Sequence, residues 1–237
     1  MRTTIKIGIA TLAFAAVHSA LATRSAKRVA AQWLGETRRD AGYRVFFVVQ
    51  SLAGFSALLA YGARLPTVTL YRIDGPGALV LRLGQAAGVA YLLHGLKQAG
   101  VAQWSGVANL QAWKRGLPLP PGPAAQGPEL KQDGRLGISG PFLHSRHPLN
   151  FAGIPIFWLT PHMTTRRLAF NLVSTVYFVL GSRHEEIRLR DAYGELYRQY
   201  ADGPVPFFVP GAARLPAPAR GNREGAGNRE TPLPAGQ

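Results

Sequence analysis

Uncharged apolar stretches alternate with short basic ones along this chain. Ile7–Thr23 runs for 17 residues without a charge, Val45–Ala63 for 19, and Gly75–Leu96 for 22 with only Arg82 intervening. A helix that crosses a bilayer needs about 20 mostly apolar residues, with a range of roughly 17–25, so each of these predicts a span. Pro148–Thr165 has 18 residues and contains Asn150, Pro155 and Pro161, which predicts a short, tilted or kinked helix. Leu168–Ser182 has 15 and is flanked by Arg167 and Arg183, whose long side chains can reach the interfaces. A water-soluble helical domain would show a polar face at 3.6-residue spacing, yet FFVVQSLAGFSALLAYGA (46–63) offers only Gln50, Ser51 and Ser56. The pattern predicts an all-α polytopic integral membrane protein with about five transmembrane helices. AVHSALA (16–22) also looks like a small-residue cleavage site, so the first run has a second reading as a signal peptide. The later runs predict a membrane protein either way.

Between the runs, QAGVAQWSGVANLQAW (98–113) places Val101, Trp104, Val107, Ala108, Leu110 and Trp113 at near-helical spacing. Trp favours the membrane–water boundary, so an interfacial helix is expected, with a sixth, poorer span as the alternative. LPLPPGPAAQGP (117–128) reads as an extended Pro-rich linker. From Gly211 the chain is rich in Pro, Gly, Ala and Arg and repeats GNRE at 221–224 and 227–230, a low-complexity tail expected to be disordered. The expected division is 1–116 (N-terminal spans plus interfacial helix), 117–133 (linker), 134–210 (a region built around a helical hairpin) and 211–237 (tail).

Charge and composition sharpen this picture. There are 27 Lys and Arg against 12 Asp and Glu, a net charge of +15, which implies a polyanionic partner. The basic residues punctuate apolar runs and do not form a block with interleaved aromatics, so the lipid bilayer is the expected partner and nucleic acid is not. Six basic residues fall in the loop expected at 24–44 and six in the 97–147 stretch, against two (Arg64 and Arg72) in the loop expected at 64–74. Five spans with the N-terminus outside would place both basic stretches in the cytoplasm. With no Cys in the chain, disulfides, thiolate catalysis and thiolate-ligated metals are excluded.

Chemistry-bearing residues gather beside the last two runs. GISGPFLHSRHPLN (137–150) precedes one, and SRHEEIRLRDAYGELYRQY (182–200) follows the other. A hairpin of the two runs returns its flanks to the same side, so 135–150 and 183–200 are expected to meet. Ile187, Leu189, Tyr193, Leu196, Tyr197 and Tyr200 recur at helical intervals. Glu185 and Glu186 are read as opening that helix, where the positive end of its dipole favours carboxylates. His144 and His147 form an H-x-x-H pair opposite His184, a conceivable metal site. But there are only six His in all, and Pro148 biases His147 away from helical geometry, so no metal is expected. The chain has no P-loop, no G-x-G-x-x-G and no Ser-His-Asp arrangement.

GPFLHSRHPLN (140–150) resembles the G-P-Y-x-x-x-R-H-P-x-Y motif of membrane isoprenylcysteine carboxyl methyltransferases and phospholipid methyltransferase-like proteins. EEIRLRDAYGELYRQYADGPVPFFVP (185–210) resembles their E-E-x-x-L-x-x-x-F-G-x-x-Y-x-x-Y…V-P-x-x-x-P segment. HSALATRSAKR (18–28), YRVFFVVQS (43–51) and FWLTPHMTTRRLAF (157–170) look like the bacterial NnrU and methanethiol S-methyltransferase branches. The resemblance implies a multi-pass protein of the bacterial inner membrane with a C-terminal, cytoplasmic cofactor-binding helical segment. It implies S-adenosyl-L-methionine as cofactor and a small thiol or lipophilic molecule as methyl acceptor. Leu136, Gly137, Phe142, His147, Pro148, Leu149, Asn150 and Glu185 match the cofactor-binding positions. Arg183 and Arg146 are the implied catalytic residues, with Arg183 orienting an anionic or thiolate substrate. Asn150 stands where the motif has Tyr, Phe142 where it has Tyr, and Gly181 where eukaryotic members have an Arg for substrate. A non-catalytic NnrU-type protein supporting nitrogen-oxide respiration is the alternative.

Overall fold

A computed structural model describes residues 2–120, 127–128, 130–131 and 134–212. Residues 121–126, 129 and 132–133 of the expected linker, and 213–237 of the expected tail, lie outside it. Among the described residues the order is α1 (Arg2–Ala22), α2 (Arg24–Leu34), α3 (Glu36–Ala63), β1 (Thr69–Arg72), α4 (Gly75–Gln98), α5 (Val101–Ser105), α6 (Val107–Lys114), a 3-10 turn (Gly140–Leu143), α7 (Pro148–Trp158), β2 (His162–Thr164), α8 (Thr165–Tyr193) and α9 (Glu195–Ala201).

Helices α1, α3 and α4 are long and apolar enough to cross a membrane. They turn Ile9, Leu12, Val49, Leu52, Val80 and Leu83 outward, each more than half exposed, the arrangement expected where hydrocarbon replaces water as solvent. The first run is integrated into the bundle. Ile7, Thr11 and Ala15 of α1 are buried, and its His18 and Ser19 reach Ser51 of α3 and Tyr177 of α8.

The fourth run yields a shorter helix than a span needs. At 11 residues, α7 is about 16 Å long, against a hydrocarbon core of about 30 Å. It ends at Trp158, three residues before Pro161, which cannot continue it. Glycines let α7 lie close to α4, because a Cβ at Gly88 would meet Pro155 and Ile156, and one at Gly95 would meet Leu149. Orphan carbonyls at its end are met by Gln85 Nε2 (Ile156 O, 2.7 Å) and Asn171 Nδ2 (Phe157 O, 2.9 Å).

Several expectations are corrected. The fold is not wholly α, since β1 and β2 pair antiparallel with Thr69 opposite Thr164 and Arg72 opposite His162. Residues 24–44 are not a loop. They form α2, capped by the Thr23 side chain on the Ala26 N–H, and the first turns of α3. The 98–113 stretch is broken at Gly106 (φ +81), where a Cβ would lie 2.6 Å from Arg44 Cβ. Its pieces α5 and α6 have 5 and 8 residues, too short for a sixth span.

The helix holding Glu185 and Glu186 does not start with them. α8 runs unbroken from Thr165 to Tyr193, and the break comes at Gly194 (φ +54). The glutamates therefore sit five turns into a helix, and no N-terminal dipole acts on them. A compact apolar cluster of Leu189, Tyr197, Tyr200, Ala201 and Val205, with Leu136, Ile138 and Tyr193 against it, anchors this end of the molecule.

Candidate functional site

Two sequence-distant segments are laced together backbone to backbone. The Arg146 N–H donates to the Pro206 carbonyl (2.9 Å), and the Gly211 N–H donates to the His144 carbonyl (2.9 Å). Ser145, fully buried, donates to the Phe208 carbonyl (2.8 Å) and accepts the His147 N–H (3.1 Å). The Tyr200 hydroxyl donates to the Phe142 carbonyl (2.7 Å). This lacing fixes Phe207 edge-on to the His147 ring, 5.1 Å between centroids. Pro148 at the first position of α7, with φ already helical, leaves His147 just outside the helix, its side chain turned toward α8.

His147 is the centre of the cluster. Its side chain is fully buried, with Nδ1 3.2 Å from Glu185 Oε2 and Nε2 3.4 Å from Glu186 Oε1. Carboxylates only accept, so the protonated imidazole can donate to both at once, whereas the neutral ring can donate to only one. Burial disfavours that charge, but the hydrogen bonds to Glu185 and Glu186 outweigh it and raise the pKa above the ordinary value. Burial likewise disfavours the Glu186 carboxylate, but His147, Arg146 and Arg190 together lower its pKa. Arg146 Nε pairs with Glu186 Oε1 at 2.8 Å, another guanidinium nitrogen donates to the Ala201 carbonyl, and the group lies over Phe207. Burial pushes the phenols of Tyr197 and Tyr200 far up, so both stay neutral donors.

The other expected residues divide. Asn150 Nδ2 donates to Ser182 Oγ (2.9 Å) and reaches Glu185 Oε2 (3.4 Å), so it joins the cluster. Phe142 and Pro148 are buried beneath it. Leu149 packs instead against α4 at Gly95. Leu136 bridges Leu130 and packs on the apolar cluster, and Gly137 is buried beside it. Arg183 is exposed, its guanidinium 5.9 Å from the Phe207 ring centre. His144 Nδ1 lies 3.1 Å from the Gly211 carbonyl, away from His147. Among the described residues no three His, Asp or Glu converge as metal ligands.

Sequence reasoning missed Ser145, Ser182, Tyr197 and Phe207 as site residues. The spacing of Phe207 within VPFFVP was visible, but its placement depends on the lacing. A cavity of about 210 Å³, lined by Ile7, Leu58, Gly62, Arg166 and Phe170 among others, lies near the opposite end of α8.

The arrangement offers carboxylate acceptors beside an aromatic plane and cations, in a mostly dry setting. It holds no activated nucleophile of its own. Comparison with known proteins gives this chemistry a context. No family model and no solved structure matches the chain. A methanethiol S-methyltransferase of Pseudomonas sp. (strain GM41) is 28% identical over 196 residues, covering 79% of this chain and 66% of the relative. Methanethiol S-methyltransferases of Pseudomonas deceptionensis (39% over 71 residues) and Mycobacterium tuberculosis (38% over 55 residues) match shorter stretches, covering 30% and 23% of this chain. The chain spans 66%, 27% and 22% of the lengths of these three relatives. These distant, partial matches support kinship with a methyltransferase-like membrane family.

Proposed function

We propose that this protein is an S-adenosylmethionine-dependent methyltransferase of the bacterial inner membrane, acting on a small thiol or another lipophilic acceptor from a cytoplasmic catalytic face. The observation that carries the reading is the Glu185 carboxylate, 4% exposed, held between His147 and Asn150 with Phe207 against the histidine ring. The donor set fits the cofactor. Glu185 supplies an acceptor for ribose hydroxyls or an ammonium, Phe207 an aromatic plane, and Arg183 a cation at the rim. When bound, the cofactor supplies a methyl group on a sulfonium, open to in-line displacement without metal or covalent intermediate. The residues around it orient and exclude water. His147 acts as a charged tie that keeps the two glutamates together, and Arg146, committed to Glu186 and Ala201, positions the loop. Arg183, exposed at the rim beside Phe207, is placed to meet an anionic or thiolate substrate.

A second reading, a non-catalytic NnrU-type protein, draws on Asn150, whose amide reaches the carboxylate that the first reading assigns to cofactor. One experiment separates them. The full chain in detergent is incubated with methyl-labelled S-adenosylmethionine and a panel of short thiols, lipids and carboxylates, and products are read by mass spectrometry. Labelled product from wild type and none from Glu185→Ala is the expected result. No product from any acceptor despite cofactor binding favours the second reading, and neither binding nor product overturns both.

A further inference from the structure

A second polar cluster, half-buried, lies between α1, α3 and α8. Ser51 Oγ lies 2.6 Å from the Phe47 carbonyl, one turn back, to which its single proton is committed. It accepts from Gln50 Nε2 (3.1 Å). The remaining contact, to His18 Nδ1 at 2.9 Å, is therefore donated by the histidine. That fixes the Nδ1–H tautomer and leaves a lone pair on Nε2, which has no hydrogen-bond partner among the described residues. The ring stands among Phe47, Phe14 and Tyr177, at 4.8, 5.8 and 6.2 Å between centroids. The Tyr177 hydroxyl is held by Ser19 (3.0 Å).

This cluster points along α8 toward the first one. Tyr177, Gly181 and Glu185 follow at four-residue steps, about 12 Å from first to last along the axis. A Cβ at Gly181 would meet nothing within 4 Å, so the space beside Gly181, between the two, is open. The Arg44 guanidinium lies 5.9 Å from the Phe47 ring centre. An ionisable side chain within a span, with a free lone pair and aromatic walls, is a functional position by default.

We propose that His18 is the proton acceptor for a small thiol bound among Phe14, Phe47 and Tyr177 and facing Glu185 across the opening at Gly181. The inference rests on the methyltransferase reading above. Aromatic rings favour sulfur contacts, and a thiolate is a far better nucleophile than a thiol. The S–H proton passes first to His18 Nε2, and a lone pair of the resulting thiolate sulfur then forms the new S–CH3 bond. The donor C–S bond breaks, and its electron pair returns to the donor sulfur. The products are a methyl thioether, S-adenosylhomocysteine and an imidazolium that later releases its proton to water. Arg44, whose guanidinium lies 5.9 Å from the Phe47 ring centre, stabilises the thiolate, and Ser51 positions the imidazole.

The test uses the full-length chain in detergent, ethanethiol as a thiol protonated at neutral pH, and 4-nitrothiophenol as one already ionised. His18→Gln is expected to lower kcat/KM for ethanethiol by about 10²–10⁴-fold, to leave 4-nitrothiophenol turnover intact, and to bind S-adenosylhomocysteine as wild type does. It should also abolish the ultraviolet thiolate band that ethanethiol develops on the wild-type protein with S-adenosylhomocysteine bound. Should that variant not fold, Ser51→Ala carries the test, with a smaller loss, confined to ethanethiol, and a shifted pH profile. Equal loss on both thiols, or none on ethanethiol, overturns the role of His18. If wild type binds S-adenosylhomocysteine but methylates neither thiol, the thiol site falls while the cofactor reading stands. If it does not bind, both fall.

Discussion

Glu186→Gln tests the charge network directly. The carboxylate takes Arg146 at 2.8 Å, His147 at 3.4 Å, the Tyr197 hydroxyl at 3.4 Å and Arg190 at 3.6 Å. Its side chain is 12% exposed and that of Arg146 13%. Glutamine keeps the volume and one acceptor but removes the charge, leaving Arg146 and His147 cationic with Glu185 alone to balance them. Removing one partner of a buried pair costs about 3–5 kcal/mol. The surviving amide acceptor and the half-exposed Arg190 at the edge place this case at the lower end, about 3 kcal/mol. The assay is equilibrium unfolding of the full chain in mixed micelles at neutral pH, for Glu186→Gln, Arg146→Met and the double variant. The double variant removes both charges at similar volume, so a coupling energy of about 1–3 kcal/mol is expected. A single-variant effect within about 0.5 kcal/mol of zero, or strict additivity of the two, would refute the network.

Two further predictions concern stability. Because the folded pKa of His147 is raised above 6.5, its contribution is complete below about 6.5 and is lost as pH rises through the folded value. Because that of Glu186 is lowered below 4.5, its contribution is present above 4.5 and lost as pH falls through the folded value. Unfolding free energy measured against pH should therefore decline on the alkaline side, and His147→Asn should flatten that limb. Gly153→Ala would drive a Cβ into the Phe178 ring, an overpacking cost of about 1–3 kcal/mol. A lowered Tm in detergent, recovered by adding Phe178→Leu, is the expected result.

What the sequence made legible was whatever depends on local composition. The charge-free runs located α1, α3 and α4 because hydrocarbon solvation demands length and apolarity over contiguous residues. The meeting of 135–150 with 183–200 followed from two runs returning the chain to one side, and His147 does meet Glu185 and Glu186. The pairing of Thr69–Arg72 with His162–Thr164 was not legible, because strands of 4 and 3 residues carry little signal and their partner lies some 90 residues away. α2 has no apolar run to announce it: Arg24, Lys27 and Arg28 stand in its first two turns, and its signal lies only in the 3.6-residue period of an 11-residue amphipathic helix. Reading Glu185 as a helix start failed because an apolar run that thins into charges looks like an end, whereas α8 continues as it leaves the apolar region. The importance of Phe207 arises from backbone bonds between Arg146 and Pro206 and from Ser145 to Phe208, long-range contacts that no local pattern encodes.

On the proposed function, the acidic turn of α8 and the loop ending at His147 form a seat for a sulfonium cofactor. Isothermal calorimetry of the detergent-purified chain with S-adenosylhomocysteine tests it most directly. Saturable one-to-one binding that Glu185→Ala abolishes is the predicted result. No heat of binding to wild type, or binding indifferent to Glu185→Ala, would contradict it.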